Sequence, residues 1–198
     1  MFNEKMKITA ENELALYIKM ALKNVDFALI SVDYILNPHH VDFNIYKDEH
    51  TFYFYYIQNL LAACGNISNI LNYPYRRNSW KVGRLNPFER SKALCRECGL
   101  DVNEFPLIFK KEVRNINMHF DEHYDEHDRR IGDYNIIDDN TPYEERLEIL
   151  NTPHLRTYDK QAQVYITVGS KKRRIEYPLV KLRQELIGLK HILNSSLE

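Results

Sequence analysis

Apolar residues recur at steps of three and four from Leu14 through Ile18, Ala21, Leu22, Val25, Leu29 and Val32 to Leu36, the spacing that lines one side of an α-helix. Thr9-Ala10-Glu11 reads as its start, and Asn37-Pro38 as its end. After a polar connection through His39 and His40, a second apolar stretch runs from Phe52 to Leu71 and stops at Asn72-Tyr73-Pro74. Its aromatic opening, Phe52-Tyr53-Phe54-Tyr55-Tyr56, has strand propensity. The length of the run and the steps through Ile57, Leu60, Leu61, Cys64 and Ile67 favour helix.

Trp80 to Pro87 is turn-rich, and Asn86-Pro87-Phe88-Glu89 has the order of a helix cap followed by proline at the first helical position. A short helix to Cys98 follows. Phe105-Pro106 is expected to open the next helix, with Ile108, Val113, Ile116, Phe120 and Tyr124 as its buried stripe. Beyond Arg130 an acidic run to Glu148 reads as a loop with a short helical turn. Gln163 to Val168 alternates and is β-branched, Gly169-Ser170 turns, and Arg174 to Tyr177 returns, the pattern of a β-hairpin. Pro178 then starts a last helix carrying Leu179, Leu182, Leu186, Leu189 and Ile192. The expected fold is mainly α: an up-and-down bundle of four to five helices with a small β-hairpin inserted before the C-terminal helix. One domain over residues 1–198 is expected, with 131–178 as a loop and hairpin elaboration. There is no internal repeat and no glycine-rich phosphate loop.

Composition narrows the class. With 198 residues and 44% hydrophobic content the chain is long enough for a substantial core. Its 27 basic and 28 acidic residues nearly cancel, so no global field favours a nucleic acid or a membrane, and local charge decides. Met1 to Ala10 carries Lys5 and Lys7 without a following uncharged apolar run, so neither a secretory signal nor a membrane span is read, and a cytoplasmic protein is expected. Cys64, Cys95 and Cys98 cannot all pair within one chain. Cys95-Arg96-Glu97-Cys98 is an isolated CxxC without the second pair a structural zinc needs, and it reads as ordinary helix cysteines near a Gly99 cap.

The densest chemistry lies in Arg114-Asn115-Ile116-Asn117-Met118-His119 and the following Phe120 to His127, which place a cation and three imidazoles in one short run. Arginine stabilises phosphoryl charge, and histidine moves protons near neutral pH. Arg114, four intervening residues and His119, with polar Asn115 after the arginine and a late position in a helical chain, resembles the HEPN superfamily (higher eukaryotes and prokaryotes nucleotide-binding). The resemblance covers one short motif and the helical context of about two-thirds of the chain. It implies a metal-independent ribonuclease of the toxin–antitoxin or phage-defence kind, a homodimer whose motif helices share one cleft, an antitoxin protein as partner, and no cofactor. On it His119 is acid or base, Arg114 the phosphate clamp and Asn115 an orienting hydrogen-bonder. Helix geometry puts Asn115 and His119 nearly on one line, whereas Arg114 lies about 140° away from His119 and must reach sideways.

Asp121, Glu122, Asp125, Glu126 and Asp128 crowd the same run and would repel a phosphate backbone unless paired or turned away. Positive charge for RNA must then come from elsewhere. Lys171-Lys172-Arg173-Arg174 at the hairpin tip is the first candidate and Arg76-Arg77 the second. Two other readings compete. His-x-x-Glu-His occurs twice in tandem, so His119, His123 and His127 are alternative metal ligands, with Glu122 or Glu126 as base and a further ligand among Glu144, Glu145 and Glu148, as in a zinc hydrolase. The other is a noncatalytic helical module binding a nucleotide, RNA or protein through its aromatic surface.

Overall fold

The computed structural model describes residues 10–39, 42–46, 48–74, 86–110, 112, 135–138, 140–151, 156–168 and 174–198. The protein is mainly helical with a small mixed sheet. Helix α1 spans Ala10–Leu36, α2 Glu49–Leu71 and α3 Pro87–Glu97. Strand β1 spans Asn135–Ile137 and is followed by α4, Tyr143–Asn151. Strands β2 (Arg156–Asp159), β3 (Val164–Val168) and β4 (Arg174–Pro178) then lead into α5, Leu179–Ser195.

The helix ends follow from local chemistry. Asp48 caps α2 by accepting from the Thr51 amide at 2.6 Å. Asn86 and Glu89 form a reciprocal capping box on α3, with Pro87 at its start. At the other end of α3 Gly99 takes φ +60°, and its amide and that of Leu100 donate to the carbonyls of Arg96 and Cys95. That pair of bonds is a Schellman stop, which a left-handed glycine makes inexpensive.

Helices α1, α2 and α5 bury their apolar faces together, with Val25, Ala28, Val32, Leu60, Ile67, Leu182, Leu186 and Leu189 all fully inside. Side-chain pairs fix their directions. Asn66 bonds Asn24 and Tyr56 stacks on Tyr34, so α2 runs antiparallel to α1. Lys190 meets Asp26 at 2.7 Å and Arg183 meets Asp33 at 2.6 Å, so α5 does the same on the other flank.

The sheet has the order β1-β2-β3-β4, with β1 parallel to β2 and the other neighbours antiparallel. The expected hairpin is β3–β4. It is not isolated, because β2 and β1 extend it to four strands in the stretch where a loop and a hairpin had been expected. Register aligns Ile136, Tyr158, Tyr165 and Tyr177 across the sheet. The three tyrosines, each no more than 2% exposed, join the core shared with the helices, and Tyr158 packs against Tyr53 of α2 at 4.9 Å. On the other face Ile137, Thr157, Asp159 and Ile166 are also buried, and Arg146 of α4 holds Asp159 at 2.7 Å. Lys160, in the β2–β3 turn, lies over the Tyr53 ring and bonds Glu49 in the first turn of α2.

The aromatic run behaves mostly as interior. Phe52, Tyr53 and Phe54 are buried, Tyr56 is half-buried with its hydroxyl paired to Tyr46, and Tyr55 is exposed. The cysteines are free thiols, and Cys95 donates to the Leu71 carbonyl, joining α3 to the end of α2. Among the described residues no helix is long and apolar enough to cross a membrane.

Candidate functional site

The chain that leads into Arg114 leaves α3 at Gly99 and reaches Phe105-Pro106, where a helix was expected to open. Pro106–Phe109 instead makes a single turn, closed by Phe109 and Lys110 amides donating to the Phe105 and Leu107 carbonyls. This turn is held from α5. Glu185 Oε2 accepts from the amides of both Leu107 and Ile108, at 2.9 and 3.2 Å. Both amides directly follow Pro106, first-turn donors with no acceptor within a helix of their own, and the carboxylate satisfies them.

Two further contacts fix the same turn. The Tyr177 hydroxyl of β4 donates to the Leu107 carbonyl at 2.5 Å. Phe105 lies against Gly188 of α5, where a Cβ would stand in ordinary contact with the ring at 3.4 Å. Lys110 then donates to the Glu176 carbonyl at 2.9 Å, tying the chain to β4, one edge of the sheet. On the far side of the motif the chain is described again at Asn135, where it begins β1, the opposite edge. The two anchors therefore stand at opposite edges of one sheet, separated by three strand spacings, roughly 14 Å.

The anchor is a buried polar cluster. Glu185 is only 8% exposed, and its Oε1 has no hydrogen-bond partner among the described residues. Burial raises its carboxyl above the ordinary range, and the two backbone amides and Lys181 oppose that rise. Cys64 of α2 lies beside Tyr177, and burial pushes its thiol up to about 12. Burial also holds Tyr177 well above its usual value. All three groups are thus held toward their neutral forms, and the thiol is protonated and poorly nucleophilic.

The sequence-derived site falls largely beyond these anchors. Arg114, Asn115 and His119, the alternative ligands His123 and His127, the tip residues Lys171, Lys172 and Arg173, and Arg76-Arg77 lie outside the described residues. Arg174 opens β4, is exposed, and pairs with Glu176 at 3.0 Å. Glu144, Glu145 and Glu148 are exposed on α4. Among the described residues no three histidines, cysteines or carboxylates come together as a metal site, so Cys95 and Cys98 do not form one with partners there.

Comparisons with protein families, with curated proteins and with solved structures found no match. Function therefore rests on the chain's own residues.

Glu185 and Tyr177 went unread in the sequence, although both left a signal. Glu185 sits between Leu182 and Leu186 in the buried phase of α5, where a carboxylate needs donors. Tyr177 shares the alternation of β4 with Ile175 and is the inward member nearer the helix.

Proposed function

We propose that this chain is a HEPN-like, metal-independent endoribonuclease acting as a homodimer in the cytoplasm. The observation that carries the reading is Arg114-Asn115 followed by His119 in a mainly helical protein. Helix α1, antiparallel to both α2 and α5, supports a helical bundle of the kind on which such a motif is found, with the sheet as its addition. Firm anchoring of the chain before the motif by Glu185 and Tyr177 fits a segment that must hold catalytic side chains to a fixed position. Free thiols fit a reducing compartment.

In this mechanism the His119 imidazole of one copy removes the proton from an RNA 2′-hydroxyl. The resulting oxygen attacks the adjacent phosphorus, and the bond to the 5′-oxygen breaks as His119 of the second copy protonates it. The products are a 2′,3′-cyclic phosphate and a 5′-hydroxyl. Arg114 stabilises the charge on the phosphorane, and Asn115 orients the phosphate. Lys171, Lys172, Arg173 and Arg174 supply sequence-independent contacts to the backbone. An antitoxin protein that covers the cleft is the partner this reading implies.

The test is incubation of the purified protein with total and transfer RNA in excess EDTA, followed by analysis of fragment ends. Cyclic phosphate ends are expected. Folded protein that binds RNA without cutting it would replace the nuclease with the noncatalytic module, and cleavage abolished by the chelator would favour the histidine metal site.

A further inference from the structure

Helix α1 is apolar on two faces. Its inner face supplies Val25, Ala28 and Val32 to the core. Its outer face carries Leu16, Met20, Phe27, Ile30 and Tyr34, each between 42% and 52% exposed. With Lys23 these positions step by four and three residues in strict alternation, so they fall within a stripe about 80° wide. That is the 3.5-residue period of a coiled-coil seam, with Leu16, Lys23 and Ile30 on one rail and Met20, Phe27 and Tyr34 on the other. Polar contacts bound it on both sides: Asn24 to Asn66 of α2, and Asp26 and Asp33 to Lys190 and Arg183 of α5. The core helices thus occupy the flanks and leave the seam outside.

From this seam we infer that α1 pairs with α1 of a second copy, antiparallel, about a two-fold axis near Val25. Three observations select this occupant. In that register Leu16 faces Tyr34, Met20 faces Ile30 and Lys23 faces Phe27, so every seam position meets an apolar or aromatic partner. Lys23 already lies over Phe27 of its own chain, at 5.8 Å from the ring centre, and the second copy's Phe27 would offer the same face to its ammonium. A parallel, in-register pair would instead set Lys23 against Lys23 inside the seam.

The area is adequate. Half-exposed side chains of this size offer roughly 100 Å² each, so the five present roughly 500 Å² per copy and about 1,000 Å² in the pair, where specific interfaces begin. The surface continues through Tyr34, stacked on Tyr56, to exposed Tyr55. The inference stands on α1 alone and is decided whether or not the protein cuts RNA.

The experiment is multi-angle light scattering and sedimentation of the full chain over a concentration series, beside Phe27→Glu and Ile30→Glu. Wild type is expected at twice the 23.7 kDa chain mass. Each variant should weaken association by at least about 30-fold while keeping its helical circular dichroism and losing only the concentration-dependent part of the melting temperature that association supplies, because both positions are outside the core. A photo-crosslinking residue at position 16 should join the second copy near Tyr34. A monomeric wild type, a dimer that both variants leave intact, or a crosslink from 16 to 16 would each overturn the inference.

Discussion

Removing the Glu185 side chain separates its two roles, acceptor and buried charge. Its Oε2 is the acceptor for the amides of Leu107 and Ile108, residues that are 8% and 2% exposed. Glu185→Ala leaves both donors without a protein partner, at about 1–3 kcal/mol for each buried amide. A combined loss of about 3 kcal/mol lowers the melting temperature by roughly 6–12 °C in a protein of this size. Glu185→Gln keeps a carbonyl oxygen for both amides and removes the charge, so it should stay within about 1 kcal/mol of wild type at neutral pH. The pH dependence has a definite sign. A carboxyl raised by burial binds its proton more tightly in the folded than in the unfolded state, so its contribution to stability falls as pH rises from the unfolded value, about 4.3, through the folded one, and is level above it. The advantage of Gln over wild type should therefore grow across that window and then hold. Denaturant melts of the three proteins from pH 4 to 8 measure this. Ala and Gln losing equal stability would show that the carboxylate does not secure the turn, and an advantage of Gln that shrank with rising pH would refute the assignment of burial as the dominant cause.

Gly99→Ala should cost about 1 kcal/mol, through the positive φ alone, because no atom lies within 4 Å of where its Cβ would stand; a calorimetric melt of the pair checks it. Cys64, buried with its thiol raised to about 12, should resist a thiol reagent at pH 8 in the native protein, with Cys95, at about 11, slow, and all three cysteines should react at once in denaturant. Tyr177→Phe should destabilise by about 1–2 kcal/mol by leaving the buried Leu107 carbonyl without this donor, read as a shift in the urea midpoint without a change in slope. Arg114→Ala should abolish RNA cleavage while the melting temperature stays within a few degrees of wild type.

The helical frame was legible because its signals are local. The three- and four-residue steps mark α1, α2 and α5, and the order Asn86-Pro87-Phe88-Glu89 marks the start of α3. The alternation of Gln163 to Val168 likewise marked β3. Strand β2 was not legible: Arg156-Thr157-Tyr158-Asp159 is buried at every position, so no alternation of apolar and polar residues betrays it, and its pairing with β1 is set by tertiary contacts. The expected opening at Phe105-Pro106 is instead a single turn over Pro106–Phe109; of the expected stripe Ile108 enters the core, and Val113, Ile116, Phe120 and Tyr124 lie outside the described residues. The outer seam of α1 was hidden by its inner one, since interleaved apolar faces of similar period blur into a single hydrophobic helix.

The most direct test of the central claim compares wild type with His119→Ala on transfer RNA in excess EDTA, with circular dichroism recorded on both. The account predicts cyclic phosphate ends from wild type and none from the folded variant; equal cleavage by the two proteins would contradict it.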